Sequence, residues 1–119
     1  MAYVDGIIIP VPKKKFAAYR AMSKKFGKVC REHGALEYHE SVADDVKVGK
    51  VTSFPRAVKL KANETVVFAW AVYKSRAARD RATKKIMSDR RVAAIMNPKS
   101  AGFDGKRLIY GGFKTFVDL

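Results

Sequence analysis

Residues 66–73, Val66-Val67-Phe68-Ala69-Trp70-Ala71-Val72-Tyr73, are apolar at every position. Side chains alternate along a strand, so Val66, Phe68, Trp70 and Val72 share one face and Val67, Ala69, Ala71 and Tyr73 the other. A strand of this kind has to be covered twice. Elsewhere the period changes. Over residues 13–33, at about 100° per residue, Tyr19, Met22, Phe26, Val29 and Cys30 fall on one arc, with Phe16 at its edge, while Arg20, Lys24, Lys25, Lys28 and Arg31 fall opposite. This is the pattern of an amphipathic helix. A second helix is predicted over 75–87, with Ala78, Ala82 and Ile86 inward, Arg76, Arg81 and Lys84 outward, and Ser75 as its cap.

The remaining segments follow from strand and breaker signals. Residues 3–11 read as a strand closed by Pro10 and Pro12, which have no N–H for a ladder. Gly34 stands where a helix would end in a left-handed residue. Residues 35–43 form a strand with polar groups on both faces, Glu37, His39 and Ser41 against Tyr38 and Glu40, as suits a sheet edge. A polar connection over 44–63 includes a short extended piece at 50–54. Residues 89–96 make a further helical turn, Asn97-Pro98 and Gly102 mark a loop, and 106–117 form the last strand.

The order strand-helix-strand, strand-helix-strand is that of the ferredoxin-like βαββαβ fold, an α+β class with an antiparallel sheet. Right-handed crossovers place the first and third strands together at the centre and both helices on one face. The opposite face is left with several large apolar side chains. Each buries about 150–250 Å² at roughly 25 cal/mol per Å², so leaving them wet would forfeit several kcal/mol, a sum comparable with a small domain's whole stability. A homodimer through the sheet face is therefore expected.

Composition narrows the picture. The 119 residues make one domain, 1–119, and 48% hydrophobic with 30% charged is ordinary for a soluble globular chain. No apolar run approaches the ~20 residues of a membrane span, and residues 1–6 lack the marks of a secretory signal. A lone cysteine, Cys30, permits no internal disulfide and suits a cytoplasmic protein. The net charge of +14 sits mostly on outer helix faces, so its simplest account is a solvated surface. The competing account makes Arg20, Lys24, Lys28, Arg31, Arg76, Arg81 and Lys84 a basic surface for nucleic acid or an acidic partner, which is not favoured.

Tyr3-Val4-Asp5-Gly6, Val66-Val67-Phe68-Ala69-Trp70, Met87-Ser88-Asp89 and above all Phe103-Asp104-Gly105-Lys106-Arg107-Leu108-Ile109-Tyr110-Gly111-Gly112-Phe113 resemble the YbaA-like family of small bacterial proteins, over essentially the whole chain. The resemblance implies a dimeric α/β barrel, two ferredoxin-like protomers joined sheet to sheet. It implies no activity and carries over no catalytic residue. The wider superfamily includes cofactor-free monooxygenases and small-molecule binders, an analogy of fold alone.

Candidate chemistry is sparse. Gly111-Gly112 within the last strand is expected to mark a bulge at the seam between two copies, with a pocket floor as the sharper reading. Asp104-Gly105 reads as a turn. Asp5 on a central strand needs a partner if buried, a basic group such as Arg107 or a pocket. His33, Glu37, His39 and Glu40 match no metal spacing, so no metal and no cofactor is expected. Cys30 reads as a small core residue. No nucleophile triad or phosphate loop is recognisable, and Lys13-Lys14-Lys15 reads as a solvated helix start. Gly111-Gly112-Phe113-Lys114-Thr115-Phe116 superficially resembles an RNA-binding aromatic strand. It lacks the basic-Gly-aromatic-Gly start and lies on the fourth strand rather than the third.

Two functions remain in play. In the first, a homodimer binds or transforms a small apolar or aromatic molecule in a pocket between helices and sheet or inside the barrel. Its candidate residues are Tyr3, Asp5, His33, Trp70, Tyr73, Tyr110, Gly111, Gly112 and Phe113. The alternative is a non-enzymatic interaction protein that uses the basic helix faces. The sequence leaves open whether the protein is an enzyme.

Overall fold

A computed structural model describes residues 2–97 and 102–119. The elements are strand β1 (Tyr3–Pro12), helix α1 (Phe16–Glu32), strand β2 (Glu37–Val42), helix α2 (Phe54–Ala57), strand β3 (Glu64–Tyr73), helices α3 (Arg76–Met87) and α4 (Arg90–Ile95), and strand β4 (Ile109–Lys114). The sheet order is β2-β3-β1-β4, antiparallel throughout, so the two most apolar strands are indeed central and β2 lies at an edge.

Pattern and structure agree closely on which faces are covered. Val67, Ala69, Ala71 and Tyr73 of β3 are buried beneath the helices, and Phe68 on the other face is 42% exposed. Tyr19, Met22, Val29 and Cys30 of α1 and Ala82 and Ile86 of α3 are buried as their spacing predicts. The core forms two clusters, one around Tyr73, Val29 and Ile86 and one around Ile9, Tyr19 and Val67, and Phe26 packs against both. Ser75 caps α3 by accepting the Ala78 N–H at 3.1 Å, and Asp89 caps α4 through the Arg91 N–H at 2.9 Å. Gly34 ends α1 with φ 125°, a conformation that side-chain-bearing residues avoid.

Several expectations are corrected. Pro10 and Pro12 do not close β1 but belong to it, opposite Val66 and Glu64. The Lys13 N–H donates to the Asn63 carbonyl at 2.9 Å, so by alternation the two proline nitrogens face away from β3, where β4 has already ended at Ile109 opposite Ile8. The extended piece at 50–54 is absent. Instead Ser53 accepts the Arg56 N–H and Pro55 sits in the first turn of α2, a helix start of ordinary kind. From α2, Phe54 packs edge-on against Phe68 at 5.9 Å, so the chain itself reaches one corner of the open sheet face. There Val66 is 3% exposed. The last strand is shorter than expected because Lys106 and Arg107 belong to the turn begun by Asp104. Of the loop residues, Pro98 lies outside those described.

There is no bulge at the glycines of β4. Register runs unbroken from Tyr3 opposite Lys114 to Ile8 opposite Ile109. Gly112 makes room for the Tyr3 ring, whose Cε2 would lie 2.7 Å from an added Cβ. On the open face the Phe113 ring lies over Gly111 and Gly6, at ordinary contact distance from where a Cβ would stand on either.

Gly27 does a similar service between α1 and β2. A Cβ there would meet the Tyr38 ring at 2.6 Å, and that ring is held because its hydroxyl donates to Glu40 Oε2 at 2.5 Å. Alanine gains up to about 1 kcal/mol in helix propensity, but overpacking costs about 1–3 kcal/mol. On balance Gly27→Ala is expected to lose about 1 kcal/mol in chemical denaturation. A variant more stable than the parent would show that the ring is free to move.

Candidate functional site

The two alanines of β3 shape what lies between sheet and helices. On the covered face Ala69 has Glu40 of β2 and Ile7 of β1 as its register partners, and Ala71 has Tyr38 and Asp5. Small side chains in the middle and larger ones on both sides leave a trough. Met22, Phe26 and Cys30 of α1 and Thr83 and Ile86 of α3 roof it. The cavity, partly open to solvent, is about 400 Å³ and almost wholly apolar, within the ~300–1,000 Å³ range of small-molecule sites.

Its two carboxylates stand at opposite poles. At the β2 side Glu40 accepts hydrogen bonds from the Tyr19 hydroxyl on Oε1 and the Tyr38 hydroxyl on Oε2. Burial, and then the neighbouring Glu40 charge, holds both phenols far above their usual range, so they remain donors at any working pH. Burial likewise pushes the Cys30 thiol up to about 12, with Glu40 and Asp5 adding to it, which makes Cys30 an inert lining group.

At the β1 side Asp5 meets Arg79 of α3. Arg79 Nη1 donates to Asp5 Oδ1 at 2.8 Å and to the Tyr110 hydroxyl at 2.7 Å, and its Nε donates to Asp80 at 2.9 Å. The guanidinium stacks over the Tyr3 ring, 4.9 Å from its centre. Burial raises the Asp5 carboxyl above the ordinary carboxylate value, outweighing the pull of Arg79. Burial also holds the Tyr73 phenol above its usual range.

The residues singled out from sequence are divided by this geometry. Asp5, Tyr73 and Tyr110 line the cavity. Tyr3 lies beneath the Arg79 guanidinium, and Gly112 packs on Tyr3. Trp70, Gly111 and Phe113 are on the opposite sheet face with Val4, Ile8 and Ile109, where His39 stacks on Trp70 at 4.8 Å. His33 is not a pocket residue. It ends α1 and its Nε2 lies 2.9 Å from Asp89, whose carboxyl is held well below its usual range by Arg91 and then His33. The Asp5 partner is Arg79 rather than Arg107. Arg107 is engaged by Glu64, with Nη1 at 2.8 Å and Nη2 at 2.5 Å, and also reaches the Val58 and Lys59 carbonyls, tying the turn before β4 to the start of β3.

Sequence reasoning passed over Tyr19, Tyr38, Glu40, Ala69 and Ala71 as site residues. The available signals were two alanines on the covered face of a central strand and a Tyr-x-Glu pair on the covered face of its neighbour. Among the described residues no three of His, Cys, Asp and Glu lie together closely enough to hold a metal ion. Arg20, Lys24, Lys28, Arg31, Arg76, Arg81 and Lys84 are all exposed, on the outer faces of α1 and α3. No helix among the described residues is long and apolar enough to cross a membrane.

Known proteins resemble this chain in sequence or in fold. Residues 2–105 match a family described as a protein of unknown function, DUF1428. The uncharacterised protein YbaA of Escherichia coli K12 is 48% identical over 118 residues, covering 99% of both chains, and YbaA of Shigella flexneri matches equally. Among solved structures, Rv0793 from Mycobacterium tuberculosis superposes with a TM-score of 0.61 at 13% identity, over 99% of this chain and 98% of the other. SnoaB from Streptomyces nogalater, described as a cofactor-independent oxygenase and solved as its N63A mutant, gives 0.61 at 14% identity, over 99% and 96%. Identities this low speak to the fold alone. With a family match over most of its length and a relative identical at nearly half of its positions, the chain belongs to the DUF1428 family of proteins of unknown function.

Proposed function

We propose that the protein is a homodimer, joined through the open sheet face, that binds a small apolar or aromatic molecule in the cavity between its helices and sheet. The cavity carries the ligand reading. It is roomy and apolar, it is floored by Ala69 and Ala71, and it has a carboxylate at each of its two sides. The dimer reading rests on the sheet face that the helices leave uncovered, where Phe68 is 42% exposed and Phe113 63%. The description of SnoaB as an oxygenase on a similar fold supports small-molecule chemistry in this architecture, by analogy only.

Thermal-shift measurements with a panel of small aromatic and aliphatic compounds test the ligand reading. Bound at a hundred times its Kd, a ligand stabilises the native state by about 2.7 kcal/mol, a rise of several degrees. Hits are expected with the parent protein and not with Ala71→Leu, whose larger side chain fills the trough. No hits, or equal shifts in both proteins, would refute the reading.

A further inference from the structure

Resting on that ligand reading, we propose that the cavity selects a small aromatic or aliphatic amine, with its ammonium group docked on Glu40. The distribution of charge in this strongly basic chain leads there. Of its 11 acidic residues, seven pair with Lys, Arg or His within 4 Å, and Asp44, Asp45 and Asp118, which have no such pair among the described residues, are exposed. Glu40 alone is partly buried with no basic partner among the described residues. Its contacts are two phenolic hydroxyls, and a carboxylate has roughly four lone-pair sites, so each oxygen keeps acceptor capacity.

The opposite pole is chemically different. Asp5 already has Arg79 at 2.8 Å, so it offers a ligand no unbalanced charge. Glu40 and Asp5 stand on strands either side of β3, about 10 Å apart across the sheet and offset by two residues along it. A ligand lying over Ala69 and Ala71 therefore meets an unpaired carboxylate at one end and a carboxylate already paired with a guanidinium at the other. In an apolar enclosure a hydrogen bond between charged partners is much stronger than one from a neutral hydroxyl. An ammonium group supplies both the proton donors and the countercharge. The exposed Lys24, Lys28 and Arg31 line the groove outside Glu40 without pairing with it, where solvent screens them.

Isothermal titration with phenethylamine, phenethyl alcohol and phenylpropionate, against the parent and Glu40→Gln, tests this. The parent is expected to bind the amine about ten- to a hundredfold tighter than the alcohol. Glu40→Gln, whose amide oxygen accepts from one tyrosine hydroxyl while its NH2 donates to the other, is expected to abolish that preference and leave alcohol binding intact. Equal binding of amine and alcohol, tightest binding of the carboxylate, or a preference that survives Glu40→Gln overturns the inference while leaving the cavity reading in place. Absence of binding by all three probes overturns both. Should Glu40→Gln fail to fold, Tyr38→Phe frees one Glu40 oxygen and is expected to strengthen amine binding relative to the alcohol. A relative weakening overturns the inference.

Discussion

Arg79→Leu is expected to cost about 3–5 kcal/mol of stability. The Arg79 side chain is 13% exposed and that of Asp5 only 7%, so leucine leaves a nearly buried carboxylate without its cation. The hydroxyl of Tyr110 loses its donor and Tyr3 its stacked cation in the same step. For a domain of this size the loss corresponds to a fall in Tm of roughly 10–20 °C. The converse substitution is far milder. Asp5→Asn leaves Arg79 with Asp80 and Tyr110, and is expected to change stability by about 1 kcal/mol or less.

The pH dependence separates this cause from simple loss of packing. The Asp5 carboxyl is raised from its ordinary 3.8 by burial, so its ionised form is the costly one in the folded state. Stability contributed by Asp5 is therefore fully present below the unfolded value and declines as pH rises through the folded one. Removing Arg79 raises the folded value further. The Arg79→Leu deficit is accordingly expected to shrink as pH is lowered from neutral into the acid range. A deficit constant across that interval would locate the damage in packing instead of in the orphaned carboxylate.

Trp70→Glu is expected to convert a dimer at micromolar concentration into single chains. Trp70 lies near the middle of the open face, between His39 stacked at 4.8 Å and Phe68 at 5.5 Å. Where two sheets meet face to face, a central tryptophan is worth at least about 2 kcal/mol. Two glutamates brought into the same dry seam add several more through desolvation and repulsion. A total of at least about 4 kcal/mol weakens association by at least roughly a thousandfold. Because Trp70 is only partly buried in one chain, far-ultraviolet circular dichroism is expected to stay native. Light scattering that gives the mass of one chain for the parent, or of two for Trp70→Glu, would contradict the sheet-to-sheet arrangement.

The fold was largely legible in the sequence because its main signals are periodic. A two-residue alternation in β3 and a 3.6-residue spacing in α1 each identify a buried face without reference to distant residues. The order of elements then restricts the topology. What could not be read depended on neighbours remote in the chain. Asp5 announces a need for a cation, but whether Arg79 or Arg107 supplies it depends on how α3 lies across the sheet. His33 looks like pocket chemistry until Asp89, 56 residues later, arrives beside it. Gly112 suggests a broken ladder and in fact accommodates the ring of Tyr3 in an intact one. The start of α2 is a different kind of miss, since Ser53 and Pro55 carry the local signal and a polar connection obscures it.

The cavity was hidden for a related reason. An empty space is defined by residues that fail to fill it, and Ala69 and Ala71 read in sequence as ordinary members of an apolar strand. Only the register that sets Glu40, Tyr38, Ile7 and Asp5 beside them turns two small side chains into a floor.

Methyl-resolved NMR of protein labelled at alanine, isoleucine and methionine, titrated with a thermal-shift hit, tests that space most directly. Ala69, Ala71, Met22 and Ile86 report from inside the cavity, and Ile8 and Ile109 from the opposite sheet face. Saturable shifts confined to the first group are expected of a ligand held between helices and sheet. Shifts confined to Ile8 and Ile109 would contradict a binding site there.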